Sequence, residues 1–173
     1  MWVFGYGSLL WNPGFRPAEA VKARLDGYHR SFCMRSVEHR GTRDVPGLVL
    51  ALDAAEGASC TGMALRAAEA EVEAVLAMLR ERELVTAAYL ERHLTLALDD
   101  GRQVDALAYV IDPDHGQYCR LPLQEQARII ATAHGGRGPN TEYLHNTAAH
   151  LAELGVRDAE IEWLDAEVRR IAH

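Results

Sequence analysis

Two glycines and a serine close a short apolar run, Trp2-Val3-Phe4-Gly5-Tyr6-Gly7-Ser8-Leu9. Glycine permits positive φ and close backbone approach, so successive amides can converge on an anion. Together with the Ser8 hydroxyl, they could hold a substrate carboxylate or a developing oxyanion. The same pattern also serves as a plain structural turn after a strand, and these residues alone leave both readings open. The loop lacks the Gly-Lys-Ser/Thr of a phosphate-binding P-loop, and no dinucleotide fingerprint follows it.

Other residue types with chemical capacity are easier to place. Glu81 and Glu83 stand at the end of a helical stretch, two positions apart, and so point in different directions. As bare sequence each reads as a solvated charge. A glutamate that works near neutral pH needs a partly desolvated site to lift it above the ~4.3 of an exposed side chain. Cys33, Cys60 and Cys119 are widely spaced and contain no C-x-x-C, which argues for reduced, buried thiols in a cytoplasmic protein. The histidines, among them His93, His115, His134, His145 and His150, show no metal-ligand spacing, so neither a metal nor a cofactor is expected. A formal charge of −7 argues against a nucleic-acid partner. Lys22 is the single lysine, and the predominance of arginine either suits an acidic small molecule or reflects composition alone.

The elements that must position these groups fall into two halves. Trp2–Tyr6 is a buried strand, and 24–36, 48–52 and 59–65 are further strands, with 53–57 as a turn. Residues 67–84, rich in Ala, Glu, Leu and Arg, form a helix with Val72, Val75, Leu76 and Leu79 at helical spacing. Tyr89–Leu98 and Gln103–Ile111 alternate about Asp100-Gly101, the signature of a hairpin. Three helices follow, over 123–134, 141–154 and 158–172, with Asp158 as an N-cap and Leu151, Leu154, Ile161 and Leu164 facing the core. Strands followed by helices give an α+β fold with a helical C-terminal third. At 173 residues with 49% hydrophobic content and no linker or repeat, a single domain over 1–173 is expected. Apolar stretches fall far short of the ~20 residues a membrane span needs, and the N-terminus carries no basic leader.

Several motifs, in order along nearly the whole chain, resemble one family. The opening Trp2-Val3-Phe4-Gly5-Tyr6-Gly7-Ser8-Leu9-Leu10-Trp11-Asn12-Pro13-Gly14 is similar to the start of ChaC-like γ-glutamylcyclotransferases. His39-Arg40-Gly41-Thr42 with Pro46-Gly47 looks like the family's His-Arg-Gly loop, and Arg82-Glu83 like its catalytic Arg-Glu. Gly138-Pro139-Asn140 with Glu142-Tyr143-Leu144 resembles its C-terminal stretch. The chain departs from eukaryotic members at Phe32-Cys33-Met34-Arg35 and at Ala87-Ala88-Tyr89.

This resemblance implies a small mixed β-barrel, partly closed and flanked by helices, with no cofactor. It implies glutathione as substrate, converted to 5-oxoproline and cysteinylglycine when the γ-glutamyl amine attacks its own γ-carbonyl. Glu83 is then the general acid/base. Val3, Phe4, Gly5, Tyr6, Gly7, Ser8 and Leu9 bind the γ-glutamyl part, and Tyr143 also meets the substrate. His39 and Arg40 either order a loop or meet the glycine carboxylate. Other γ-glutamyl compounds, or a non-catalytic binding role for the same fold, remain the alternatives. Nothing in the sequence indicates an oligomeric state.

Overall fold

The computed structural model describes residues 1–84 and 87–172. In chain order the elements are β1 (Trp2–Gly5), a 3₁₀ turn (Ser8–Leu10), β2 (Glu19–Ser36) and β3 (Gly47–Arg66). Then come α1 (Val72–Glu83), β4 (Tyr89–Leu98), β5 (Gln103–Ile111) and α2 (Leu123–Thr132). The short strands β6 (His134–Gly135) and β7 (Gly138–Pro139), α3 (Asn140–Glu153) and α4 (Ala159–Ile171) complete the chain.

The strands run in the order β1-β3-β2-β4-β5 and close into a barrel, where only partial closure was expected. Parallel pairing of β1 with β5, Trp2 opposite Ala106 and Val3 opposite Leu107, makes the closure. A sheet closed on itself leaves no exposed edge for other chains to pair with. The expected β4–β5 hairpin forms, in register from Tyr89 opposite Ile111 to Ala97 opposite Gln103.

Several boundaries differ from the sequence expectation, among them the start of β2, at Glu19 rather than residue 24. The two strands over 48–52 and 59–65 are one strand, β3, and the stretch read as a turn lies inside it. Asp53, a turn former by composition, is buried there, with His29 Nε2 3.8 Å from its carboxylate. The strand environment has overridden local preference. The helix expected over 67–84 begins as a 3₁₀ turn, Glu69–Glu71, and is α-helical only from Val72. The helix expected over 123–134 stops at Thr132, because Ala133 is extended and His134-Gly135 pairs with Gly138-Pro139.

Two compact units divide the chain: residues 1–30 with 51–116, and residues 31–50 with 117–173. The first contains β1, α1, the β4–β5 hairpin and the parts of β2 and β3 that lie in those ranges. Its core includes Val3, Leu9, Ala67, Val75, Leu79, Leu107 and Tyr109. Val75 and Leu79 lie one helical turn apart on α1, and burying each contributes roughly 1.5–3 kcal/mol. In the second unit α2, α3 and α4 pack on one another through Ile130, Leu144, Leu151, Leu164 and their neighbours. Asp158 caps α4 as expected, accepting from Ile161 N at 3.1 Å. Among the described residues no helix is long and apolar enough to cross a membrane.

Candidate functional site

Glu83 occupies the next position of the stripe that begins with Val75 and Leu79. Four-residue spacing keeps all three on one face of α1, so packing the helix draws the Glu83 side chain inward. Its side chain is 14% exposed, whereas Glu81 faces solvent. Burial pushes the Glu83 carboxyl up from its ordinary value, and the Arg82 guanidinium, with Nε 3.5 Å from Oε1, opposes part of that shift. A dry carboxyl with one cation at its side is suited to take up and return a proton.

Arg82 also reaches the glycine loop. Its Nη2–H donates to Ser8 Oγ at 2.9 Å and its Nη1–H to Asn12 O at 2.5 Å. Because the Ser8 oxygen accepts from Arg82, the hydroxyl proton is directed elsewhere and remains a donor. The first amide used by the turn itself is that of Leu10, which donates to Gly7 O at 2.9 Å. The N–H groups of Gly7, Ser8 and Leu9 therefore stand ahead of the turn's own hydrogen bonds. Within one unit, then, the structure brings the loop and Glu83 together through one arginine.

The other loop residues contribute differently. Val3 and Phe4 are fully buried, and Leu9 is nearly so, leaving backbone contact as the route by which they could touch a ligand. Gly5 pairs with Met63 in the sheet. The Tyr6 ring is buried against Phe4, with centroids 6.4 Å apart.

A second glutamate near this region behaves in the opposite sense. Glu91, on β4, takes both Arg80 Nε–H and Nη2–H at 3.0 Å, and the Tyr109 hydroxyl donates to it at 3.0 Å. The hydrogen bonds from Arg80 hold it below the usual carboxylate range. Burial pushes the Tyr109 phenol up, with Glu91 and the nearby charge of Glu83 acting in the same direction. The two carboxyls are thus pushed in opposite directions, Glu83 up by burial and Glu91 down by its hydrogen bonds from Arg80.

Tyr143 lies in the second unit. Its hydroxyl accepts from Leu50 N at 3.2 Å, and its ring meets Phe32 edge-on and sits under the Arg40 guanidinium. Arg40 also donates to Pro139 O at 3.1 Å and pairs with Glu142 at 3.7 Å. Burial pushes His39 down, assisted by Arg137. The His-Arg-Gly loop is thus tied into its own unit. Sequence reasoning gave Asn140 no part of its own beyond the motif. It is fully buried, accepts from Leu48 N and donates to Leu48 O, both at 2.8 Å. A side chain at Gly47 would place a Cβ 2.7 Å from Asn140 Oδ1, so this close approach requires glycine.

Cys33, Cys60 and Cys119 are buried and form no disulfide, and burial pushes the Cys119 thiol up, away from nucleophilic reactivity. Among the described residues no cluster of three or more His, Cys, Asp or Glu side chains is arranged to hold a metal ion. A cavity of about 300 Å³ between the ends of α3 and α4 is lined by Leu151, Val156 and Ile161. Its acids Asp158 and Glu162 are already engaged, the first as the α4 cap and the second with Arg157.

A protein-family description, ChaC-like protein, matches residues 1–171. The chain belongs to the ChaC-like family. It is 40% identical over 172 residues to the glutathione-specific γ-glutamylcyclotransferase of Escherichia coli (strain K12), covering 99% of this chain and 74% of that protein. It is 35% identical to γ-glutamylcyclotransferase 2-3 of Arabidopsis thaliana, with 99% and 89% covered. The glutathione-specific enzyme of Schizosaccharomyces pombe is 33% identical, with 98% and 93% covered. The fold of this ChaC-like protein matches a crystal structure of a yeast γ-glutamyl cyclotransferase specific to glutathione, at TM-score 0.89 and 23% identity. That match covers 100% of this chain and 97% of the other.

Proposed function

We propose that this ChaC-like protein is a glutathione-specific γ-glutamylcyclotransferase in which residues 1–173 act as one functional domain and Glu83 moves the proton. The observation that carries the reading is the desolvated Glu83 carboxyl, joined through Arg82 to Ser8 of the glycine loop. The names of the E. coli and S. pombe relatives support glutathione as the substrate.

The reaction makes one C–N bond and breaks another within a single substrate. The loop from Val3 to Leu9 grips the γ-glutamyl end through backbone amides and the Ser8 hydroxyl. Folding the substrate so that its amine faces its own γ-carbonyl removes most of the entropic barrier to ring closure. The neutral α-amine attacks the γ-carbonyl carbon, and Glu83 as carboxylate takes the proton that the attacking nitrogen sheds. The protonated Glu83 then delivers that proton to the cysteinyl nitrogen as its bond to the γ-carbon breaks. The products are 5-oxoproline and cysteinylglycine, and Glu83 returns to its starting form. A raised pKa makes the carboxylate a better base, and Arg82 opposes part of that rise.

Tyr143 is assigned to substrate binding on its motif. The cytoplasm is the assigned compartment, in keeping with three cysteines that form no disulfide. Release of 5-oxoproline from glutathione by the purified protein, run beside Glu83→Gln, tests the reading. Turnover by the parent and none by the folded variant is expected. A parent that cleaves other γ-glutamyl compounds but not glutathione would overturn the substrate assignment, and silence on all of them would overturn the enzyme.

A further inference from the structure

The β1–β3 ladder runs from Trp2 opposite Arg66 to Gly5 opposite Met63 and ends there. At that end the two backbones are unusually close, since a Cβ on Gly62 would lie 2.3 Å from Gly5 O. Beyond the ladder, one carbonyl from each of the two segments turns to the same side chain. Arg30, on β2 and 5% exposed, donates Nε–H to Tyr6 O at 2.6 Å and Nη2–H to Thr61 O at 2.6 Å.

We propose that Arg30 is a positioning residue for γ-glutamyl recognition, because its hold on the Tyr6 carbonyl sets the direction in which the Gly7 N–H meets the substrate. The proposal rests on the cyclotransferase reading given above. The Tyr6 carbonyl and the Gly7 amide are two ends of one planar trans peptide, so they point in opposite directions. Pinning the carbonyl toward Arg30 turns the Gly7 N–H away from β2. The guanidinium suits the task because its planar fork presents donors at fixed angles to both carbonyls, which the single ammonium of lysine does not. Arg82 holds the loop further along, at Ser8 and Asn12, so Gly7 lies between two arginine anchors.

Steady-state kinetics of Arg30→Lys on glutathione tests this. The expected result is a KM raised about ten-fold, with kcat changed less than about three-fold. The acid limb of the pH profile, which reports Glu83, should not move. A fall in kcat at unchanged KM would indicate only a smaller fraction of well-folded enzyme and would overturn the proposal. Should Arg30→Lys fail to fold, ¹⁵N-labelled Glu83→Gln is titrated with glutathione. Saturable shifts of the Gly7 amide and the Arg30 Nε–H are expected, and a Gly7 amide that stays put while other loop signals shift overturns the assignment. A parent enzyme inactive on glutathione and on other γ-glutamyl compounds defeats the cyclotransferase reading itself, whereas an active parent with an unaltered Arg30→Lys KM defeats this inference alone.

Discussion

The glycine loop of the first unit and the Gly47–Asn140 contact of the second use similar residue types for opposite ends. In the second, polar side chains are consumed by the backbone. Asn140 takes both the N–H and the C=O of Leu48, and Tyr143 takes the N–H of Leu50. In the first, arginines do the holding, and a glutamate is left buried with a cation 3.5 Å away and burial as the dominant influence on its proton. A buried polar group that is fully paired stabilises and specifies a fold. One that is left incompletely solvated is costly, and is the kind of group that catalysis uses.

Glu83→Gln should give the largest effect and tests this contrast in two ways. Loss of the acid/base group should lower kcat by about 10²–10⁴-fold. The same change should also raise stability at neutral pH. Burial lifts the folded-state pKa of Glu83 above its unfolded value, so within that window the folded chain keeps a proton that the unfolded chain releases. Stability therefore falls as pH rises through the window, and the penalty is fully present above it. Glutamine carries no such penalty. The variant should melt higher than the parent at about pH 7.5 and no higher at about pH 3.5. Equal melting temperatures at neutral pH would mean that the carboxyl is not held in a dry site.

Asn140→Ala probes the other side of the comparison. It strands the buried N–H and C=O of Leu48, each costing about 1–3 kcal/mol. Urea unfolding should show a loss on the order of 2–4 kcal/mol, with the KM of the remaining folded enzyme unchanged. A variant of undiminished stability would remove the distinction between the two regions.

The contrast was only half legible in the sequence. Glu83 was told from Glu81 only through the resemblance of Arg82-Glu83 to the family motif, although its place four residues after Leu79 on the Val75–Leu79 stripe carried a local signal that went unread. The β4–β5 hairpin was readable from Asp100-Gly101, because that turn chemistry is local. Asn140 and Arg30 were not readable. Each acts on carbonyls or amides distant in sequence, Asn140 on Leu48 and Arg30 on Tyr6 and Thr61. No local pattern encodes such a contact. Barrel closure was hidden for the same reason, resting on β1 beside β5. The unity of β3 was obscured by Asp53, whose turn preference yields to burial.

Arg82→Met should separate holding from tuning within the first unit. Arg82 opposes the burial that raises Glu83, so its loss should lift the Glu83 pKa further. With the Glu83 carboxylate as base in the proposed mechanism, the acid limb of kcat/KM should move to higher pH. Losing the bond to Ser8 should raise KM several-fold as well, since a charged hydrogen bond contributes about 1.5–3 kcal/mol. A KM change with an unmoved acid limb would leave Arg82 as a loop anchor only.

Tyr143→Phe should give the smallest effect, and it is the residue on which the comparison is most exposed. Its hydroxyl already serves Leu50 N, and removing that acceptor should cost about 0.5–1.5 kcal/mol. If stability were the whole of its work, Tyr143 would stand with Asn140. The proposed substrate-binding role asks more of the same hydroxyl, as a donor to the substrate. Tyr143→Phe is therefore expected to raise the KM for glutathione a few-fold as well as lowering the melting temperature slightly. A lower melting temperature at unchanged KM would return Tyr143 to the scaffold and leave the recognition of substrate to the arginine-held loop.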